Sequence, residues 1–169
     1  MNWAKFEKAA PELAQLGKKL FEKAGLVLLG TLRKDGSPRI SPVEFILLDG
    51  ELYFGMMWKS KKALDLLRDP RCAIHNAIPD RFATDGEFKL YARARDVQDP
   101  EERKRYCEAL RKKIGMVLRE PNYHLFAADI ESAAAFTNEK TTRLGKRWKA
   151  GGKITEFRQR PEDANPPPR

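Results

Sequence analysis

The sequence predicts a mainly β or α+β domain, arranged as a closed or partly closed antiparallel barrel with a few helices outside it. Six or seven short runs are apolar or alternate apolar with polar residues. The turn sequences Asp35-Gly36 and Asp49-Gly50 separate the first of these runs, which is typical of hairpins. Strands joined in this way, with few helical segments between them, favour a barrel.

Length and composition predict a single domain over residues 1–160, followed by a disordered Pro-rich tail over residues 161–169. A chain of 169 residues with 41% hydrophobic content can bury one core. The start of the chain is amphipathic, and no apolar run approaches the ~18 residues of a membrane span. We therefore expect no signal peptide, no anchor and a cytoplasmic location. Cys72 and Cys107 lack metal-ligand spacing, so we expect reduced, packed thiols.

The N-terminal segment predicts two helices. Apolar residues recur at helical spacing from Trp3 to Phe21. Pro11 interrupts this pattern and is best placed in the first turn of a second helix, so a break is expected near Ala10. Gly25 is expected to end the second helix.

The central segment predicts a meander and a crossover helix. Residues 26–32, 38–48 and 51–58 are expected as three consecutive antiparallel strands. A helix then opens on Ser60-Lys61-Lys62 and ends before Pro70. Further elements are expected as strands at 71–78, 86–97 and 123–138, a helix over 99–115 and a final hairpin over 147–160.

The charge of the chain is concentrated near its C-terminus. The formal charge is +9 and the pI is near 9.6. Residues 140–160 carry eight Lys or Arg against one Glu. Such a patch suits a solvated edge, a phosphate-bearing cofactor or a polynucleotide. Because no zinc finger, RNP-type aromatic pair or helix-turn-helix is present, we expect no nucleic-acid partner.

The start of the helix after residue 58 is suited to phosphate, because free N–H groups, the Ser60 hydroxyl and the ammonium groups of Lys61 and Lys62 meet there. This helix start follows a strand, a hairpin and a further strand. That order of elements resembles the pyridoxamine 5'-phosphate oxidase-like family. The resemblance implies a split β-barrel, bound FMN, and a homodimer with a cofactor in each of two clefts at the interface. It also implies a small-molecule substrate.

The same resemblance implies a set of cofactor contacts. The strand that contacts the flavin and ribityl chain in the family corresponds to Ser41, Pro42, Val43 and Glu44, although Ser41-Pro42 equally suits a simple strand boundary. The next strand offers Gly55-Met56 where the family often has Tyr-Thr, so contact there is expected from backbone. Ser60, Lys61 and Lys62 replace a Ser-Arg-Lys phosphate motif and lack the arginine fork.

The resemblance implies a second group of contacts later in the chain. Glu87 corresponds to a flavin-contacting glutamine, and Trp148 and Arg158 flank glycines as a tryptophan and an arginine do in the oxidases. The alternative for Trp148 is packing on its hairpin partner. The oxidases' substrate-gripping Arg, His and Lys correspond to Ile154, Glu156 and Ile46, so we expect no competent pyridoxamine phosphate oxidase.

Three functional classes remain open, and the residues point to no catalytic acid, base or metal site. The first is an FMN-dependent oxidoreductase acting on a small electron acceptor. The second uses the deazaflavin F420, whose polyglutamate tail would suit the lysines of residues 140–153. The third is non-catalytic: a flavin carrier, or a haem-binding relative with iron on His75 or His124.

Overall fold

The structure is a computed structural model that describes residues 1–139 and 142–159; the predicted tail at 161–169 lies outside them. The described residues form one nine-stranded antiparallel sheet with four helices. In chain order the elements are α1 (Trp3–Ala9), α2 (Pro11–Ala24), β1 (Val27–Leu32), β2 (Pro38–Val43), β3 (Ile46–Leu48), β4 (Glu51–Met57), α3 (Lys61–Arg68), β5 (Arg71–Asn76), β6 (Glu87–Asp96), α4 (Pro100–Ile114), β7 (Tyr123–Glu139), β8 (Thr142–Lys149) and β9 (Thr155–Gln159).

The two N-terminal helices cover one face of the sheet as the sequence predicts. The break falls at Ala10, and Gly25 ends α2 with a φ of 72°, a left-handed conformation that suits glycine. Gly17 lies in the middle of α2, where a Cβ atom would stand 2.3 Å from the Phe88 ring. The lack of a side chain there lets α2 pack directly on β6 and bury its Phe21, and Phe6 of α1 is buried as well.

The predicted meander is wrong. The sheet order is β2-β1-β5-β6-β7-β4-β3, so the two hairpins β1–β2 and β3–β4 lie at opposite ends of it. The expected strand over 38–48 is broken between β2 and β3, where Glu44 is exposed and Phe45 is 2% exposed. Burying the Phe45 ring turns the chain out of the first hairpin, and β4 then pairs with β7.

The long strand β7 produces the split of the barrel. β6 accompanies most of its length, while its other edge pairs first with β4 and then with β8. β2 and β4 lie near each other without a shared ladder. The sheet is therefore open and fits a split β-barrel of the α+β class.

The remaining elements follow their predictions closely. Asp99 caps α4, whose first turn holds Glu101 and Glu102, and β8–β9 form the final hairpin, with β8 beginning five residues earlier than the expected 147. Both cysteines are free, and Cys72 is buried. None of the described helices is long and apolar enough to cross a membrane.

Candidate functional site

The turn between β4 and α3 places a hydroxyl at the start of a helix. Met57 O accepts a hydrogen bond from the Ser60 amide at 3.1 Å, which closes the turn. Ser60 is the N-cap residue of α3, but its side chain makes no capping hydrogen bond. Its Oγ is buried and has no partner. A buried hydroxyl without a partner is costly, so this atom is suited to a ligand.

The first turn of α3 carries positive charges, where a helix is usually stabilised by acidic residues. Lys61 and Lys62 occupy the first turn of α3, which contains no acid. Cations near a helix N-terminus are unfavourable by about 0.3–1 kcal/mol each, because the helix dipole is positive there. Neither ammonium group has an ion-pair partner among the described residues. A bound anion would offset this local repulsion.

A cavity of about 230 Å³ lies beside the helix start, at the split between β2 and β4. Five predicted contact residues line it: Pro42, Val43, Glu44, Met56 and Lys62. These residues come from two unpaired strands and a helix, and the fold brings them to one cavity. Their contact with a cofactor stays a prediction. Ser41, Ser60 and Lys61 do not line this cavity. Ser41 is half-buried and pairs with Leu29, while Ser60 and Lys61 lie at the helix start just before Lys62.

The opposite wall of the cavity was not predicted. It is formed by α4 and the segment after it, through Tyr106, Leu110, Met116, Leu118, Asn122 and Tyr123. The Tyr106 hydroxyl approaches Gly55 so closely that a Cβ atom there would stand 2.3 Å from it, which explains the glycine in β4. Burial raises the pKa of Tyr106, so the group stays neutral. No local sequence pattern links residues about fifty positions apart.

A buried carboxylate anchors α3 to the first hairpin. Asp65 is 4% exposed and accepts hydrogen bonds from Thr31 Oγ1 at 3.0 Å, Arg39 Nε at 2.7 Å and Arg68 NH2 at 3.3 Å. Although burial alone would raise it, these donors hold the pKa of Asp65 below its usual value. Arg39 thus joins β2 to α3 and keeps two sides of the cavity in register.

Glu87 lies away from this cavity, in a charged cluster on β6. Its carboxylate is 2.7 Å from Lys89 Nζ, 2.6 Å from Arg143 NH2 and 3.3 Å from His75 Nε2. Against the effect of burial, the hydrogen bonds from Lys89 and His75 keep its pKa lowered. Because its oxygens already have these partners, a flavin contact from Glu87 would have to share them; that contact stays a prediction.

Trp148 and Arg158 also lie outside the cavity. The Trp148 indole is 2% exposed and packs on Phe6 of α1, with ring centroids 5.1 Å apart; the packing alternative named the hairpin partner instead. Its Nε1 is buried without a partner. Arg158 is exposed on β9, opposite Leu144. Within one chain these two residues are not brought to the split, and their predicted cofactor contact remains untested.

His75 engages both of its ring nitrogens, and His124 engages its Nε2. The His124 Nε2 accepts a hydrogen bond from the Lys59 amide at 3.2 Å, and burial lowers the pKa of His124. The His75 Nδ1 lies 2.7 Å from Asn76 O and its Nε2 faces Glu87. No group of three metal-ligating side chains occurs in the described part of the chain. These contacts do not favour iron ligation by either histidine.

A larger cavity lies elsewhere, with Trp58 and His124 in its wall. It measures about 730 Å³, and Arg103 and Glu120 contribute charged groups to its wall. Those two groups pair with each other at 2.6 and 2.9 Å. The smaller cavity is instead lined by Lys62, which follows Ser60 by two residues in the first turn of α3. This helix start makes the smaller cavity the better candidate for an anionic cofactor.

A sheet split beside an unpaired hydroxyl and two unpaired lysines defines a split β-barrel protein with a candidate anion site. A family model described as pyridoxamine 5'-phosphate oxidase matches residues 14–137, and the chain belongs to this family. The resemblance read from the sequence is thereby confirmed. No curated protein sequence matches this chain.

Solved structures agree with the fold. A pyridoxamine 5'-phosphate oxidase-related, FMN-binding protein from Nostoc punctiforme has a TM-score of 0.64 at 15% identity, covering 90% of this chain and 96% of that one. PhzG from Burkholderia lata, solved with tetrahydrophenazine-1-carboxylic acid, gives 0.63 at 14% identity, covering 94% and 93%. HutZ, a haem storage protein from Vibrio cholerae, gives 0.59 at 17% identity, covering 73% and 90%.

Proposed function

We propose that this protein is an FMN-binding oxidoreductase that is not a pyridoxamine phosphate oxidase. The observation that carries the proposal is the helix start at Ser60, where a buried hydroxyl without a partner meets two lysines without partners. The phosphate of FMN supplies acceptor oxygens and negative charge for all three groups. The family match and the FMN-binding neighbour from Nostoc punctiforme support the choice of flavin.

Comparison of the order of charged residues in α4 and α3 shows why an anion is favoured at the start of α3. α4 begins with Glu101 and Glu102 and ends with three basic residues, the order that stabilises a helix. α3 begins with lysines instead. Departures from a local rule that the same chain obeys elsewhere are expected at functional sites.

The residues around the cavity suit the rest of the cofactor. Backbone groups of residues 42–44 at the end of β2 would bind the polar edge of the ring system, and Lys62 would reach the phosphate. Leu110, Met116 and Leu118 supply an apolar wall that excludes water. Bound FMN would supply hydride and electron transfer, so the chain itself needs to hold and orient the ring.

We propose a homodimer, because one chain offers only part of a cofactor site. The cavity of about 230 Å³ is smaller than the ~300–1,000 Å³ usual for cofactor pockets. The outer face of the sheet also exposes apolar side chains, with Ile40 74% and Tyr91 49% exposed. In such a dimer the partner subunit would bring its own copies of Glu87 and Arg158 toward the cleft.

The positions that would grip pyridoxamine phosphate are unsuited to it. Ile46 is 5% exposed within a core cluster, and Ile154 packs partly buried against the main core. Glu156 is acidic and pairs with Lys146 at 2.9 Å. None of these side chains offers a cation for a substrate phosphate. We therefore expect turnover of pyridoxamine phosphate to be absent, and turnover at an ordinary rate would contradict this assignment.

Nothing in the described residues favours the deazaflavin F420 or haem over FMN. Lys146, which would suit a polyglutamate tail, is paired with Glu12 and Glu156. The histidines are engaged as described above. These two cofactors therefore enter as competing outcomes of the test.

The first experiment is an absorbance spectrum of the purified protein, followed by titration with FMN, riboflavin, F420 and haem in parallel. The proposal predicts a flavin spectrum and tighter binding of FMN than of riboflavin, which lacks the phosphate. Light scattering of the same samples tests the dimer. Saturation by F420 or haem alone, or equal affinity for FMN and riboflavin, would overturn the proposed site.

A further inference from the structure

The turn that presents Ser60 depends on a side chain from a distant strand. Three of its backbone amides are bonded: Ser60 to Met57 O at 3.1 Å, Trp58 to Asn122 O at 3.3 Å and Lys59 to His124 Nε2 at 3.2 Å. The first two acceptors are carbonyl oxygens that any sequence supplies. The third exists only because residue 124 is a histidine.

Lys59 is the strained residue of this turn. Its φ is 55°, in the left-handed region that favours glycine. A lysine held in this conformation needs contacts that compensate for its backbone. The hydrogen bond from the Lys59 amide to His124 is such a contact. Lys59 is the residue directly before Ser60.

His124 is itself firmly placed. It is 8% exposed on β7, where it lies opposite Met56 in the ladder with β4. Its ring stacks on Trp58 with centroids 4.5 Å apart and planes 9° apart, and Phe126 lies beyond at 6.3 Å. Because packing holds the His124 ring in place on a rigid strand, its acceptor nitrogen can fix the turn.

We propose that His124 is a positioning residue for the phosphate site: its Nε2 fixes the Lys59 amide and thereby sets the direction of the Ser60 hydroxyl and the first turn of α3. The proposal rests on the proposed function. Acceptance of a hydrogen bond at Nε2 requires that nitrogen to be unprotonated, so the ring proton lies on Nδ1. His124 touches no cofactor atom in this account.

Two substitutions separate the acceptor from the packing. His124→Phe keeps a flat ring against Trp58 and removes the acceptor. His124→Gln gives up the ring and retains an oxygen that can reach the position of Nε2. Circular dichroism and thermal unfolding first establish that each variant is folded.

FMN and riboflavin affinities then report on the phosphate alone. His124→Phe should bind FMN about fivefold more weakly, the effect of one ordinary hydrogen bond, and bind riboflavin as the wild type does. His124→Gln should bind FMN within about twofold of the wild type. In the flavin-free protein, exchange of the Lys59 amide proton should be faster in His124→Phe and close to wild type in His124→Gln.

Each other outcome overturns the proposal in a recognisable way. Unchanged FMN affinity in His124→Phe would show that the acceptor does not position the site. Equal weakening of FMN and riboflavin, or failure of His124→Gln to restore affinity, would make the residue a packing element only. Failure of the wild type to bind FMN would instead refute the proposed function, and this inference with it.

Discussion

Replacement of Ser60 by alanine tests the candidate site most directly, because the structure predicts opposite effects on stability and on affinity. Ser60 Oγ makes no capping hydrogen bond and is buried without a partner. Its removal from the flavin-free protein therefore loses no intramolecular hydrogen bond. Since an unsatisfied buried group costs about 1–3 kcal/mol, the free energy of unfolding should stay the same or rise.

The affinity for FMN should fall in the same variant. A hydrogen bond to a charged group is worth about 1.5–3 kcal/mol, which corresponds to a loss of roughly tenfold to 150-fold. Riboflavin should bind with unchanged affinity, because it lacks the phosphate. Isothermal titration with both ligands, together with urea unfolding of the flavin-free protein, measures both quantities.

Asp99→Ala provides a matched control, since Asp99 Oδ1 does cap its helix, accepting from the Glu102 amide at 2.7 Å. This variant should lose about 1 kcal/mol of stability and leave FMN affinity unchanged. If Ser60→Ala behaved in the same way, losing stability while keeping FMN affinity, Ser60 would be an ordinary cap and the assignment would be refuted.

Three further predictions follow from the same contacts. Lys61→Ala combined with Lys62→Ala should weaken FMN binding by about 1.5 kcal/mol or more, less so at high salt, with riboflavin as the control in the same titration. Asp65→Ala should lower the free energy of unfolding by about 3 kcal/mol in a urea titration, because it leaves Arg39 without its buried partner; a loss below about 1 kcal/mol would contradict this. Burial lowers the pKa of His124 from its usual 6.5, so the unfolded chain takes up a proton before the folded one and stability should fall as pH drops below about 6.5; urea unfolding at pH 7.5 and 5.5 should show this loss in the wild type and a smaller one in His124→Phe.

Local patterns determined the elements of this fold. Four local features depend on a few neighbouring residues, and each appears where the sequence predicts it: the start of α3 after Ser60, the break at Ala10, the glycine end of α2 and the Asp99 start of α4. The phosphate-suited helix start belongs to the same group, because a hydroxyl and two lysines in succession are visible in the sequence.

Strand pairing was decided by long-range contacts. The hairpin turns correctly predict β1–β2 and β3–β4, but they carry no information on how two hairpins meet. Burial of Phe45 breaks the expected strand, and β7, about seventy residues later, takes the edge of β4. The order of the sheet thus depends on a partner that local periodicity cannot identify.

The sequence by itself determined the helix start with its two lysines, and its resemblance to the family pointed to five residues that line the cavity at the split. Only the tertiary structure supplied the wall from α4, the anchor at Asp65 and the acceptor at His124. Only the tertiary structure shows that Glu87 contacts three basic side chains and that the Trp148 indole is buried in the core. The division has a physical reason: capping and turn chemistry act over a few residues, whereas the walls of a site are set by which distant side chains the buried core brings together.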